Sequence, residues 1–301
     1  MTQPRPIPPS AIPPPPGRSP ERKFLRLRDG YETSVYVHRP PAGAPEGKLP
    51  VLYAHGIQSH PGWFYGSAMA LASAGHTVYQ LTRRGSGDNP AARGDCPHRA
   101  QLLDDVRMNM EFLLAEEKTE LVHLLGVSWG GKLLAALLAR DETPQRHVKS
   151  LTLIAPGIVP RADVQFRVKI RIAGSLLVHP DALYDIPLGD VSLFTDNEPM
   201  RRYLADDAFG LHQATARFLF ESRRMDQDVH RAKAGSIPCP TTLILSKRDR
   251  IIDNAKTRAV VEKLAGEKLN VVELDGSHTL EFEPDPAEFF RHVVEAVERG
   301  E

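Results

Sequence analysis

An α/β fold with a mostly parallel sheet covered by helices on both faces is predicted by three observations. Short apolar runs alternate with helical segments along most of the chain. The run Leu121-Val122-His123-Leu124-Leu125 leads directly into Gly126-Val127-Ser128-Trp129-Gly130-Gly131 and then into a string of strong helix formers, Lys132 to Ala139. No apolar stretch approaches the ~20 residues that a membrane helix requires.

Taken in order, about the first twenty residues stand apart, because nine of them are proline. Proline removes backbone donors and few large apolar residues accompany it, so 1–21 is expected to be a disordered or polyproline-like tail outside the packed core. It lacks the apolar segment of a signal peptide. Strands are predicted at 23–27 and 33–38, the second with Val35 and Val37 alternating against polar neighbours. A Pro/Gly/Ala linker at 40–48 precedes an apolar strand at 49–54 that ends on His55-Gly56. There follow a helix at 64–74, a strand at 77–81, the loop Gly85-Ser86-Gly87, a helix at 99–116, the strand at 121–127 with its helix, and a strand at 148–154. The alternation then lapses and resumes with a strand at 240–245, a helix at 254–264, a strand at 269–274 and a helix at 286–298. That makes eight strands and a core of 22–159 plus 237–301. The interruption, 160–236, reads as an insertion over the carboxyl ends of the strands, where open α/β sheets bind ligands. Its stretch 164–172 has period two and so reads as a strand, although Arg167, Lys169 and Arg171 also suit the wet face of a helix.

Composition narrows the function. Lys plus Arg and Asp plus Glu number 38 each, and the insertion carries eleven charges of each sign, so no field favours nucleic acid or a substrate of one charge. Cys96 and Cys239 lie far apart and read as free thiols of a cytoplasmic protein. Asp95-Cys96-Pro97-His98 lacks a second ligand pair, so no metal is expected there.

The chemistry gathers on Ser128. A strand-turn-helix exposes a serine hydroxyl as a nucleophile, and small residues at 126 and 130 permit the tight turn. Of twelve histidines, His278 is best placed as the base, just past the last strand; His292 falls inside the final helix. Asp249, just past the strand at 240–245, is the acid that would orient it, with Asp253 as the alternative; Asp104 and Asp105 read as ordinary helix residues. Backbone N–H groups of Ile57 and Trp129 are the expected oxyanion donors, and His55 reads as structural.

Together His55-Gly56, Arg84-Gly85-Ser86-Gly87, Gly126-x-Ser128-x-Gly130, Arg248-Asp249 before Ile251-Ile252, and Gly276-x-His278 resemble the α/β-hydrolase superfamily over roughly 22–300. The order nucleophile, acid, histidine is that of the superfamily. Leu193-Phe194-Thr195-Asp196, with Asp206 and Phe218 after it, is similar to the lid of monoacylglycerol lipase and lysophospholipase-like enzymes, grouped with serine aminopeptidase-type hydrolases. Thr82 departs from that pattern, which often has an acidic residue there. The resemblance implies a cofactor-independent serine hydrolase with a helical lid that cleaves a small acyl ester such as a monoacylglycerol or lysophospholipid-like ester. An aminopeptidase using the same three residues and a non-catalytic binding protein on the same scaffold are the alternatives; serine at 128 disfavours a dehalogenase or epoxide hydrolase.

Overall fold

The structure, a computed structural model, describes residues 5–300. The chain forms β1 (Glu21–Arg26), β2 (Glu32–His38), β3 (Val51–Ala54), α1 (Tyr65–Ser73), β4 (Val78–Leu81), α2 (Arg99–Glu117), β5 (Val122–Val127), α3 (Trp129–Arg140), α4 (Glu142–Gln145) and β6 (Val148–Ile154). It continues through α5 (Phe166–Val178), β7 (Leu183–Asp185), α6 (Glu198–Ala205), β8 (Gln213–Thr215), α7 (Ala216–Arg231), β9 (Thr241–Ser246), α8 (Asn254–Ala265), β10 (Leu269–Leu274) and α9 (Ala287–Glu298). Eight strands make one sheet in the order β1-β2-β4-β3-β5-β6-β9-β10. Only β1–β2 and β2–β4 pair antiparallel; β4, β3, β5, β6, β9 and β10 run parallel. This is the fold that the alternating apolar runs predict.

The central strands explain why no alternation of polar and apolar residues marks them. β3, β4 and β5 are buried on both faces, so every side chain contacts protein. Leu124 and Leu125, on opposite faces of β5, are both fully buried. α3 is apolar nearly all round for the same reason, since residues 129–138 are all buried between the sheet, α2 and α7.

Two expectations need correction. The 164–172 pattern does not form a strand: from Phe166 onward it lies in α5, with Phe166, Ile170, Leu177 and Val178 exposed and Ile172 buried. A period-two pattern specifies a strand only when a partner strand accepts its backbone bonds, and a helix supplies those bonds internally. Residues 5–20 carry no helix or strand, but they do not stay out of the core. Ala11 is buried there, its N–H bonds the Gly62 carbonyl at 2.9 Å, and the Pro9 carbonyl accepts the Tyr203 hydroxyl at 2.9 Å. An extended proline-rich segment has few donors to satisfy, so a few backbone contacts suffice to lay it down.

Residues 160–236 contribute α5, α6, α7 and the small antiparallel pair β7–β8, all outside the main sheet. Among the described residues no helix is long and apolar enough to cross a membrane.

Candidate active site

β5 ends by turning sharply into α3, and Ser128 occupies the turn at φ 53° and ψ −121°. A non-glycine residue there costs on the order of 1–3 kcal/mol of strain. The surrounding bonds hold it: Ser128 N–H donates to the Ile154 carbonyl at 2.9 Å, and the Ser128 carbonyl accepts Gly157 N–H at 2.8 Å. The flanking glycines are sterically required. A Cβ on Gly126 would stand 2.7 Å from Gly131 Cα, and one on Gly130 would stand 2.3 Å from the Ala54 carbonyl oxygen.

His278 follows β10 and is fixed by its neighbours, with Thr279 N–H on the Phe194 carbonyl at 2.9 Å and Ser277 N–H on Glu283 Oε1 at 2.7 Å. Its Nε2 lies 2.9 Å from Ser128 Oγ and its Nδ1 2.7 Å from Asp249 Oδ2. The other carboxylate oxygen, Asp249 Oδ1, accepts Ile251 N–H at 2.8 Å and Ile252 N–H at 3.0 Å. Burial pushes the Asp249 carboxyl up, but the imidazole and those two amides outweigh it and hold it below the usual carboxylate range. The fold therefore brings 128, 249 and 278 into one chain of hydrogen bonds. It does not bring Asp253 there. Asp253 caps α8 by accepting Lys256 N–H at 3.1 Å. His292 stays on α9 near Glu288 and Glu295, Asp104 pairs with Arg28, and Asp105 grips Arg84 with two bonds of 2.8 Å. Asp95 meets Arg217 and Thr215.

Ile57 and Trp129 both line the cavity that opens at Ser128. The loop bearing Ile57 is held by buried polar side chains. Arg83 N–H donates to His55 Nε2 at 3.1 Å, which leaves the proton on Nδ1, 2.8 Å from the Gly56 carbonyl. Burial, with the Arg83 charge behind it, holds His55 well below the ordinary imidazole value and so neutral. Asp207, from the loop after α6, accepts Trp63 Nε1–H at 2.7 Å and lies 3.1 Å from His60 Nε2. Where Thr82 stands in place of an acidic residue, Asn89 ties Thr33, Thr82 and Arg83 together and Asp88 binds Ser34, Tyr36 and Arg22, so the loop keeps its anchor.

Sequence reasoning passed over Arg83. It is buried, donates to the Ile57 carbonyl at 2.8 Å and the Arg84 carbonyl at 3.1 Å, and lies over the stacked rings of Trp129 and Phe218 at 5.0 and 5.1 Å. Burial lowers its pKa to about 10. Lys132 was read only as a helix former, yet it pairs with Asp226 at 2.7 Å in the cavity wall. The signal in each case is a basic residue inside an otherwise buried stretch, and nothing local identifies its partner.

The cavity has a volume of about 360 Å³, within the range of small-molecule sites, and its walls include Ile172, Leu176, Ile186, Leu188, Leu219 and Ile252. A family model described as serine aminopeptidase, S33, matches residues 45–285. The chain is an α/β hydrolase of that family. This S33 hydrolase is 24% identical over 221 residues to a monoacylglycerol lipase of Mycolicibacterium smegmatis, covering 73% of this chain and 77% of that one. It shares its fold with a monoacylglycerol lipase of Paleococcus ferrophilus at a TM-score of 0.73 and 19% identity, over 89% of this chain and 99% of the other. A soluble variant of monoglyceride lipase from Saccharomyces cerevisiae, solved with a substrate analog, superposes at a TM-score of 0.81 and 14% identity, over 97% and 99% of the two chains.

Proposed function

We propose that the protein is a serine carboxylester hydrolase acting through Ser128, His278 and Asp249. The observation that carries this reading is the continuous bond path from Ser128 Oγ to His278 and on to Asp249, at 2.9 and 2.7 Å. His278 Nε2 takes the proton as Ser128 Oγ attacks the ester carbonyl, then hands it to the departing alcohol. Asp249 orients the ring and stabilises the imidazolium without itself accepting the proton. The N–H groups of Ile57 and Trp129 hold the oxyanion of the tetrahedral intermediate, and a water activated by His278 then cleaves the acyl-enzyme.

The substrate is an acyl ester of the monoacylglycerol or lysophospholipid type. An apolar cavity at the serine, the monoacylglycerol lipase relative and the exposed apolar residues of α5 support that choice. Residues 160–236 act as the lid, with Phe194 packed edge-on against His278 at 6.2 Å. A cytoplasmic location belongs to the same reading, supported by two buried free thiols. An aminopeptidase requires a carboxylate for the substrate's ammonium group, yet both carboxylates in the cavity wall, Asp163 and Asp226, already pair with Lys169 and Lys132.

A fluorophosphonate probe, p-nitrophenyl esters, monoglycerides and aminoacyl anilides test the reading. The native protein is expected to be labelled and to cleave esters in preference to anilides, and Ser128→Ala to do neither. An unlabelled native protein indicates a binding scaffold, and preferred anilides indicate a peptidase.

A further inference from the structure

Both expected oxyanion donors belong to peptide groups whose carbonyls are themselves hydrogen-bonded from behind. The Trp129 N–H shares its peptide with the Ser128 carbonyl, which accepts Gly157 N–H at 2.8 Å. The Ile57 N–H shares its peptide with the Gly56 carbonyl, which lies 2.8 Å from His55 Nδ1. The first bond runs from backbone to backbone and is beyond the reach of substitution. The second comes from a side chain to which the hydrolytic steps give no role.

His55 can only donate to that carbonyl. It is 3% exposed, and its Nε2 faces the Arg83 N–H at 3.1 Å, so Nε2 carries the lone pair and Nδ1 the hydrogen. A doubly protonated ring would set two N–H groups head to head at Nε2, which keeps the imidazole neutral. Ser59 Oγ stands further from Nδ1, at 3.5 Å, so the Gly56 carbonyl is the acceptor. The peptide it serves lies at the reacting serine. A Cβ on Gly56 would stand 3.4 Å from Ser128 Cβ and 3.7 Å from Ser128 Oγ, and one on Gly130 would stand 2.6 Å from the His55 carbonyl oxygen. The backbone at 55–56 therefore abuts both the serine and its elbow.

A hydrogen bond accepted by a peptide carbonyl draws electron density across the C–N bond and makes the N–H on the other side a stronger donor, by roughly 10–30% per bond. The gain counts most against a full negative charge, and an ester oxygen acquires that charge only as the tetrahedral intermediate forms. We propose that His55 is a positioning residue of the oxyanion site: its Nδ1–H, fixed by the Arg83 amide, aligns the Gly56–Ile57 peptide and strengthens the Ile57 N–H toward the developing oxyanion. This rests on the ester-hydrolase reading and adds to it a side chain that acts on the transition state through the backbone.

Two amide side chains separate this role from a merely structural one. Glutamine brings an oxygen to the Nε2 position, where it can accept the Arg83 N–H, but has no donor at the Nδ1 position. Asparagine brings an N–H to the Nδ1 position and nothing that reaches Arg83. With p-nitrophenyl acetate, His55→Gln is expected to lose about tenfold in kcat at nearly unchanged KM, short of the roughly 10²–10³-fold that follows outright loss of an oxyanion donor. His55→Asn should stay within about threefold of the native kcat although its Tm falls, because the donor is kept and the Arg83 bond is lost. A trifluoromethyl ketone, to which Ser128 Oγ adds to give an anionic hemiketal, should bind His55→Gln more weakly by the factor that kcat falls. A native kcat in His55→Gln, a change confined to KM, or a fall in His55→Asn as large as in His55→Gln overturns the inference while leaving ester hydrolysis standing. Should the variants not fold, NMR of the native protein decides: the His55 Nδ1–H proton should move downfield when the hemiketal forms, and a resonance that stays in place overturns the inference. Failure to cleave the acetate, with no fluorophosphonate labelling of Ser128, defeats the underlying function instead.

Discussion

Ser128 is held at positive φ by bonds to Ile154 and Gly157, so its hydroxyl is presented to His278 without a conformational search. Replacing Asp249 with Asn should lower kcat by about 10⁴-fold, because the amide leaves the imidazole in the wrong tautomer, whereas Asp253→Asn should cost only cap stability. Steady-state rates with p-nitrophenyl acetate for the two variants decide between the carboxylates. Arg83 acts at one remove from the chemistry. Its guanidinium fixes the Ile57 carbonyl and covers the Trp129 ring, and those two residues carry the proposed oxyanion donors. Arg83→Met should therefore reduce kcat by about 10- to 100-fold with little change in KM, a split that a purely structural loss would not produce.

The elements around the site depend on buried polar contacts whose charge state matters. Glu281, in the short 3-10 turn after His278, accepts Ser67 N–H at 3.1 Å and the Ser67 hydroxyl at 2.5 Å at the start of α1. Burial raises its pKa to about 8, against the pull of the Ser67 and Gly66 contacts. Between the unfolded value of 4.5 and about 8, the folded state holds a proton that the unfolded state has released. Stability is full below that window and declines as pH rises through it, by on the order of a few kcal/mol in all. Thermal unfolding followed from pH 5 to 8 should show this decline in the native protein and a flatter profile in Glu281→Gln. The α5 helix carries a different lesson. Its Phe166, Val168, Ile170 and Ile172 alternate in sequence with Arg167, Lys169 and Arg171, yet no strand pairs with the segment and it is helical.

For the whole molecule, the N-terminal segment links regions far apart in sequence: Arg5 to Glu32, Ala11 to Gly62 and Pro9 to Tyr203. Deleting residues 1–20 exposes the site of Ala11 and removes those bonds, and should lower Tm by several degrees, measured by differential scanning calorimetry, with the pattern of ester preference retained. The sheet and the strand-end positions of Ser128, Asp249 and His278 were legible because each rests on a local pattern, an apolar run followed by a turn that places one side chain at the strand's carboxyl end. Arg83, Asp207 and the Lys132–Asp226 pair were not, because a lone charged residue reads as surface until its partner is known. His60 and Asp207, for example, lie 147 residues apart.

By itself the sequence determined the order of strands and main helices outside 160–236, the serine on its tight turn and the strand-end positions of Asp249 and His278, since these follow from nearest-neighbour chemistry. Only the tertiary structure decided the helical state of α5, the docking of the N-terminal segment and the pairing of Lys132 with Asp226 in the cavity wall. Those depend on contacts between distant segments, and their free energy exists only once the chain has closed on itself.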